Sequence, residues 1–269
     1  MKIIFSRKGI DSAYGKGVSP IFPNGYMLSI PIPVKGKEKG IHYTKMRFNG
    51  QSIKSYMKQL NLRINQSTCH CDPYINANVT VKERSWIPSF GSHGAAASHL
   101  INEEVSIGDL FLFFGTFQKV KREDSKWCFD RKNKPLHVLF GFMLVDQILK
   151  MNKKQDKKDA AKLGLQDHPH FVNEYPVNNI LFIGDKDKSG MFTFNEKLIL
   201  SHNGKTKSIW KVPSFFDECE ISRNRNKSRF TKQKDFVLWK TVSIGQEFVC
   251  QPNQQLTTWA SQLIESHQA

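Results

Sequence analysis

Two long apolar segments restrict the fold of this chain most strongly. They run from Asp109 to Phe117 (Asp-Leu-Phe-Leu-Phe-Phe-Gly-Thr-Phe) and from His137 to Val145 (His-Val-Leu-Phe-Gly-Phe-Met-Leu-Val). A near-continuous apolar run of this length predicts a strand that is covered on both faces or that lines a barrel interior. We therefore expect these segments to form the central strands of a sheet, with the polar stretch between them as a hairpin loop or excursion.

Shorter patterns predict the elements around these strands. Strands are expected at Ile3–Phe5 and Tyr26–Ile32, and apolar residues at helical spacing predict an amphipathic helix over Ser52–Leu62. Further helices are expected from about Ser92 and from about Gln255 to Glu265. No repeat or low-complexity linker divides the 269 residues. The predicted fold class is α+β, as a single domain over residues 1–269 with a mixed, partly barrel-like β-sheet core flanked by a few helices.

The chain is strongly basic. Its 40 lysines and arginines exceed its 24 aspartates and glutamates, which gives a formal net charge of +16 at pH 7. An excess of this size predicts a polyanionic partner, and we expect a nucleic acid or a nucleotide. The most basic stretch fits contact with a phosphate backbone, although such runs also occur as solvated loops. The expected nucleic-acid contacts are Arg223, Arg225, Lys227, Arg229, Lys232 and Lys234.

The sequence gives no sign of a membrane segment. No window approaches the roughly 18 consecutive apolar residues of a spanning helix. The polar run Ser6-Arg7-Lys8 interrupts the N-terminal apolar residues before a signal-peptide core can form. The five cysteines are an odd number at scattered positions and are expected to be reduced thiols. These observations predict a soluble cytoplasmic protein without a membrane partner.

The first strand leads into a polar loop that suits an anion. Residues 6–15 read Ser-Arg-Lys-Gly-Ile-Asp-Ser-Ala-Tyr-Gly. Glycines after a strand let backbone N–H groups face a ligand, while the cationic side chains add charge and the serines add hydroxyls. The spacing matches neither a Walker loop nor the dinucleotide fingerprint, and a plain polar turn is the alternative. The residues expected to bind a phosphate or carboxylate are Ser6, Arg7, Lys8, Asp11 and Ser12.

Histidines supply the candidate acid–base groups. In Cys69-His70-Cys71-Asp72-Pro73, an extended backbone places His70 and Asp72 on one side and the two cysteines on the other. A neutral imidazole beside a carboxylate can act as a general base or as a pair of metal ligands. The Cys-x-Cys spacing lacks the two-residue gap that is usual in zinc sites. The candidate catalytic residues are His70, Asp72 and His99, and the sequence assigns no metal ligands and identifies no cofactor.

A second histidine motif is His168-Pro169-His170. Proline biases the residue before it toward an extended conformation, so both rings are expected to project to one side. Ordinary surface histidines are the alternative interpretation. The sequence contains none of the signatures of serine hydrolases with a nucleophile elbow, of His-Glu-x-x-His metalloproteases or of zinc deaminases.

An ordered set of motifs resembles a known family. The motifs are Ser6-Arg7-Lys8-Gly9-x-Asp11-Ser12-x-x-Gly15, Ser19-Pro20-Ile21, His70-x-Asp72-Pro73, Gly94-Ala95-Ala96-x-x-His99-Leu100, Gly108-Asp109-Leu110-Phe111-Leu112-Phe113-Phe114-Gly115 and Gly245-Gln246-Glu247-Phe248. Together they span nearly the whole chain and resemble the nucleotide modification associated domain, third type. The resemblance implies a role near the synthesis or processing of modified bases in bacterial or phage DNA. The chain departs from the family at Tyr74, where an acidic residue is usual, and at Ser92 and Ala97, where glutamines are usual.

The candidate residues and motifs described above support two main hypotheses. In the first, the chain is a nucleotide-directed enzyme or enzyme subunit of DNA base modification, in which the N-terminal loop holds a phosphate and the candidate catalytic residues transfer protons. In the second, it is a non-catalytic module that reads a modified base or binds nucleic acid, similar to PUA-like and EVE-like barrels. Phe113, Phe117 or Trp127 would then stack on a flipped base. The sequence does not choose between catalysis and binding.

Overall fold

The fold is described by a computed structural model for residues 1–81, 87–223, 229–241 and 247–268. The strands are β1 (Ile3–Arg7), β2 (Ser19–Ile21), β3 (Ile32–Pro33), β4 (Ile41–His42), β5 (Met46–Phe48), β6 (Gln51–Ser52), β7 (Thr68–His70), β8 (Val79–Val81), β9 (Ser89–Ser92), β10 (Leu110–Glu123), β11 (Lys126–Phe129), β12 (Leu136–Lys150), β13 (Ile180–Met191), β14 (Ile209–Pro213), β15 (Phe230–Lys232), β16 (Phe236–Lys240) and β17 (Glu247–Cys250). The helices are α1 (Ile53–Gln59), α2 (Gly94–Asn102), α3 (Lys154–Lys162), α4 (Pro169–Val172) and α5 (Gln254–His267), with 3₁₀ turns at Glu196–Leu198 and Ser214–Asp217.

One mixed sheet of eight strands organises the molecule. Its order is β17-β1-β10-β12-β13-β9, and β2 and β11 also pair with β10. Strand β10 runs parallel to β1 and β2 and antiparallel to β12. Its register with β12 shifts between Phe113 and Phe114, an irregularity of the kind that bends a strand. The sheet curls into a half-barrel, which confirms the predicted α+β class and its mixed, partly barrel-like core.

The two apolar segments form the centre of this sheet, as predicted. Strand β10 is buried from Leu110 to Phe117, and β12 is buried from His137 to Met143. Both strands extend beyond the apolar runs. The residues of β10 after Phe117 pair with β2 and β11, and residues 147–150 of β12 pair with β13. Residues 120–123 of β10 pair with β11, so much of the stretch predicted as a loop is a β-hairpin.

A second group of buried apolar side chains lies in the N-terminal part of the chain. It includes Ile10, Tyr43 and Met57, and it also contains Val120 from β10. The small sheets β3-β7-β4 and β6-β5-β8 belong to this part of the chain. We call this group the N-terminal core. It also contains Cys69 and Cys71, the two neighbours of His70 in the chain.

The predicted strand at Tyr26–Ile32 is wrong. Regular pairing begins only with β3 at its last residue, while Met27 forms an isolated bridge with Ile21. Pro31 has no N–H to donate, while the N–H of Leu28 bonds to the carbonyl oxygen of Pro20 and that of Ile30 bonds to Oγ of Ser19, so these contacts do not form a regular ladder.

The three helix predictions are confirmed, with shifted ends. Helix α1 begins after Ser52, whose side chain accepts a hydrogen bond from the N–H of Ser55. Helix α2 begins two residues later than expected, because His93 occupies the N-cap with an extended backbone. Helix α5 begins after Asn253, whose side chain caps the N–H of Leu256. In the described part of the chain, none of the helices combines the length and the apolar character needed to cross a bilayer.

Candidate functional site

A pocket of about 240 Å³ lies where the end of β1 meets the segments around β3, β7, α2 and α4. Its described walls carry cations, carboxylates and imidazoles together. Convergent polar groups of opposite character in one concavity are typical of a ligand site. The cations are Arg7, Lys8 and Lys35; the carboxylates are Asp11, Glu38 and Asp72; and the imidazoles are His70, His93 and His170.

One wall of the pocket is a group that we call the histidine cluster, which consists of His70, Asp72, His168 and His170. Asp72 lies at its centre, and its side chain is 4% exposed. The Oδ1 atom of Asp72 accepts a hydrogen bond from the backbone N–H of Gly91 at 2.9 Å and lies 3.5 Å from Nε2 of His168. The Oδ2 atom lies 3.8 Å from Nε2 of His70. The carboxylate is therefore anchored through one oxygen and offers the other to the pocket.

The end of β7 and the residues just after it bring His70 and Asp72 to the pocket. Cys69 and Cys71 are buried in the N-terminal core, so the residues between and after them face the other way. His70 and Asp72 both line the pocket. The expected placement of His70 and Asp72 on one side is confirmed, although Asp72 lies beyond the end of β7.

The second histidine motif reaches the same place through α4. His168 is the N-cap of α4, and its Nδ1 accepts a hydrogen bond from the N–H of His170 at 3.2 Å. This contact leaves the ring proton of His168 on Nε2, the atom that faces Asp72. The rings of His168 and His170 lie 5.7 Å apart between centroids, and those of His70 and His170 lie 5.4 Å apart.

The orientation of the His170 ring is fixed from two sides. Its Nδ1 lies 2.7 Å from Oδ1 of Asn179, whose Nδ2 donates to the carbonyl oxygen of His170 at 3.0 Å. Because the amide nitrogen of Asn179 is the donor in the second contact, its oxygen is the acceptor in the first. His170 therefore carries its proton on Nδ1, and Nε2 keeps a lone pair. A Cβ atom at Gly91 would lie 2.0 Å from Cδ2 of His170, so the ring fits only against glycine.

Burial sets the protonation of the cluster. Burial lowers the pKa of His170 to about 3 and also lowers the pKa of His70. Burial raises the pKa of Asp72, but the N–H of His168 and the surrounding imidazoles outweigh it, and the pKa falls well below its ordinary value. At neutral pH, Asp72 is therefore a carboxylate beside the neutral imidazoles of His70 and His170.

Comparison with known families places the chain in one of them. The family model described as nucleotide modification associated domain 3 matches residues 2–251. The chain belongs to this family. The resemblance seen in the sequence motifs is confirmed, and membership supports involvement in nucleic acid modification. No curated protein and no solved structure matches the chain.

The N-terminal loop contributes three of its five predicted residues to the pocket. Arg7, Lys8 and Asp11 line it. Ser6 is fully buried, and Ser12 is exposed outside the described lining. The alternation of β1 explains the position of Ser6, because neighbouring strand residues face opposite sides of the sheet.

Carboxylates hold the loop cations in place. Arg7 Nε lies 3.7 Å from Oδ2 of Asp11, whose Oδ1 accepts the N–H groups of residues 13 and 14 at 2.8 Å. Lys8 Nζ lies 3.2 Å from Oε1 of Glu247, which is 1% exposed. Asp11 thus shapes the loop through its hydrogen bonds. Lys35 is exposed, and no carboxylate of the described residues lies within ion-pair distance of it.

The structure does not bring His99 to the other candidate catalytic residues. His99 lies on α2, and its Nε2 is 3.0 Å from Oγ of Ser222. It is not among the described residues that line the pocket. The place that the sequence hypothesis gave to His99 is occupied by His170.

The basic stretch near the C-terminus lies outside the pocket. Lys232 is exposed and forms a salt bridge with Asp217, and Arg223 and Lys234 are exposed as well. The four described cations of this stretch are absent from the pocket lining: Arg223, Arg229, Lys232 and Lys234. Two predicted contacts lie outside the described residues: Arg225 and Lys227.

The aromatic residues proposed to stack on a base are mostly buried. Phe113 and Phe117 are fully buried in the main core, so the prediction that they stack on a flipped base is wrong. Trp127 is half-buried and packs edge-on against Phe22, with ring centroids 4.9 Å apart.

Sequence analysis missed four charged or imidazole side chains of the pocket: Lys35, Glu38, His93 and His170. His170 had a signal, because the His-Pro-His motif predicted two rings on one side, but nothing in the sequence connected it to Asp72 almost a hundred residues earlier. No sequence pattern pointed to Lys35, since it is one lysine among many in a polar loop.

Proposed function

We propose that this chain is an enzyme of nucleotide modification. It binds a phosphate-bearing substrate in the pocket, and the histidine cluster catalyses the reaction of that substrate. One observation carries the proposal: a single pocket joins three cations to a buried Asp–His group, in a chain whose family is associated with nucleotide modification. Such a role in modified-base chemistry of bacterial or phage DNA belongs in the cytoplasm.

The cationic wall supports binding of the phosphate. Charge-assisted hydrogen bonds from lysine and arginine are the usual means of holding a phosphate. Arg7 and Lys8 are fixed by carboxylates and give the wall its position. Lys35 is exposed and is the cation best able to turn toward a bound anion.

The histidine cluster supports acid–base chemistry. His70 is partly accessible, with 13% of its side chain exposed, and its ring faces the ionised Asp72. A neutral imidazole beside a carboxylate accepts a proton and is stabilised as it becomes charged. We assign the acid–base chemistry to the histidine cluster, in which the carboxylate of Asp72 stabilises the positive charge that develops beside it.

Binding of nucleic acid forms a further part of the proposal. The net charge of +16 favours a polyanionic partner, and the exposed Arg223 and Lys234 are the described candidates for backbone contact. The reader hypothesis has less support, because Phe113 and Phe117 cannot reach a base.

Substrate binding is tested by calorimetric titration with 2′-deoxynucleoside 5′-mono- and triphosphates and with the unphosphorylated nucleosides. We expect the phosphorylated compounds to bind and the nucleosides not to bind. Lys35→Ala should weaken binding by about tenfold or more, because it removes a charge-assisted contact. Lys37→Ala is the matched control, since Lys37 is exposed in the same loop but lies outside the pocket lining. Equal effects of the two variants, or no binding of any nucleotide, would contradict the proposal.

Catalysis is tested separately by mass spectrometry of nucleotides and DNA after incubation with the protein. We expect a mass change in one substrate class that is lost in His70→Ala while nucleotide affinity is kept. A His70→Ala variant with the full rate would remove the catalytic assignment. Binding without turnover of any nucleotide or DNA would favour the reader hypothesis.

A further inference from the structure

Three potential metal ligands converge at the histidine cluster from separate parts of the chain. His70 ends β7, Asp72 follows two residues later, and His170 lies on α4. One ligand atom from each residue lies within 4.8 Å of the other two. We propose that these three residues hold a divalent first-row transition metal ion, with its remaining coordination positions open to the pocket.

The geometry requires only small side-chain movements. Metal–ligand distances of about 2.0 to 2.2 Å place neighbouring ligand atoms about 3 to 3.5 Å apart. Asp72 Oδ2 and His70 Nε2 are already 3.8 Å apart, and the whole set spans 4.8 Å. Rotation of the side chains by about 1 Å at their tips closes the site around an ion.

The outer contacts prepare the ligand atoms. In metal sites, a ligating imidazole donates its other N–H to a carbonyl or carboxylate, which fixes the ring and its tautomer. His170 shows this arrangement, since Nδ1–H donates to Oδ1 of Asn179 at 2.7 Å and Nε2 keeps its lone pair. Asp72 shows the equivalent for a carboxylate, because Gly91 and His168 engage Oδ1 and leave Oδ2 for the ion.

The ligand types decide the class of metal. Two imidazoles and one carboxylate suit borderline ions such as Fe²⁺, Co²⁺ and Zn²⁺, whereas Mg²⁺ and Ca²⁺ prefer oxygen ligands alone. The nearby thiols are turned away, since Cys69 and Cys71 are buried in the N-terminal core. Three protein ligands leave positions for water or substrate, as in catalytic rather than structural sites. The proposed ligands and the cations that we assign to a phosphate line the same pocket.

The site is tested with Co²⁺ as the probe, because its visible absorption reports the ligands. Protein freed of metal with a chelator is titrated with Co²⁺, and Zn²⁺ is added as a competitor. We expect one Co²⁺ per chain. Asp72→Asn and His70→Ala should each weaken binding more than about 100-fold, and Asn179→Ala should weaken it about 10- to 100-fold through loss of the outer contact. His42→Ala, which changes an exposed histidine on β4, is the matched control and should bind as the wild type does.

Failure of metal binding, or equal binding by all the variants, would overturn the proposal. Circular dichroism and thermal melting show whether each variant folds. Should the ligand variants unfold, an anomalous difference map of wild-type crystals grown with Co²⁺ decides the matter. A peak among the three side chains is expected, and a peak elsewhere or none would refute the site. No nucleotide enters these measurements, so they fail independently of the proposed function.

Discussion

Two buried histidines of this protein have similar burial and opposite uses. His137 is 5% exposed and His170 is 2% exposed, and burial lowers the pKa of each to about 3. In the main core, Nδ1 of His137 accepts a hydrogen bond from Nε1–H of Trp210 at 3.0 Å. In the histidine cluster, Nδ1 of His170 donates its proton to Asn179.

The two regions therefore differ in the direction of the hydrogen bond at Nδ1, which is the acceptor in His137 and the donor in His170. His137 uses its Nδ1 lone pair inside the core, against the rings of Phe114 and Trp210. His170 uses its Nδ1 proton inside the protein and presents a lone pair beside Asp72. Burial and a lowered pKa are the same in both regions, so they do not by themselves mark a site. A site is marked instead by the hydrogen-bond partner of the buried Nδ1 atom and by the presence of a pocket.

The largest expected difference between the regions is in metal affinity. His170→Ala removes a proposed ligand and should weaken Co²⁺ binding more than about 100-fold. His137→Asn keeps an acceptor for Trp210 and should leave Co²⁺ binding unchanged, because His137 lies outside the cluster. Titration followed by visible absorption measures both variants. Comparable losses in the two variants would erase the distinction between the regions.

The next largest effect concerns stability in the core. His137→Ala leaves Nε1–H of the fully buried Trp210 without its acceptor and opens a cavity, so the free energy of unfolding should fall by about 2 to 4 kcal/mol. His137→Asn restores an acceptor and should lose less. Urea denaturation gives both values, and equal losses would show that the hydrogen bond to Trp210 contributes nothing.

A smaller effect tests how tightly the His170 ring is held. Gly91→Ala places a Cβ about 2.0 Å from Cδ2 of His170, and overpacking of this kind typically costs about 1 to 3 kcal/mol of unfolding free energy. It should also weaken Co²⁺ binding, because the ring must move. Gly190→Ala is the control, since the nearest atom to its Cβ is 3.9 Å away. Equal stability of the two variants would mean that the ring has room to adjust.

The last effect is gradual, because His137 adds a pH dependence to stability of about 1.4 kcal/mol for each pH unit. The pKa of His137 is about 3 in the folded protein and about 6.5 when unfolded, so the unfolded chain binds its proton first as pH falls. Its contribution is full above about pH 6.5 and declines by about 1.4 kcal/mol per pH unit toward pH 3. The slope of unfolding free energy against pH between 4 and 6 should be shallower in His137→Asn by about one proton. An unchanged slope would show that another group titrates there.

The sequence predicted the centre of the fold better than the site. Asp109–Phe117 and His137–Val145 identified the central strands because continuous apolar runs need cover on both faces, and apolar residues at helical spacing predicted α1 and α5. The pocket was predicted only in part. Strand alternation gave the shared side of His70 and Asp72, which is a local property.

The remainder of the site depends on long-range packing. Nothing local brings His170 to Asp72, and the motif that singled out His99 gave no information on which side of α2 faces the pocket. Ser6 looked like a ligand residue, but its place on β1 buries it. The Tyr26–Ile32 segment shows the same limit in the fold, because a local pattern does not show which backbone groups its N–H donors will meet.

The central claim is that one pocket holds a phosphorylated nucleotide between Lys35 and the histidine cluster. A crystal structure of the protein with a bound 2′-deoxynucleoside 5′-phosphate tests it most directly. We expect the phosphate against Arg7, Lys8 and Lys35 and the sugar or base toward His70. A nucleotide bound at another surface, with this pocket containing only solvent, would contradict the account.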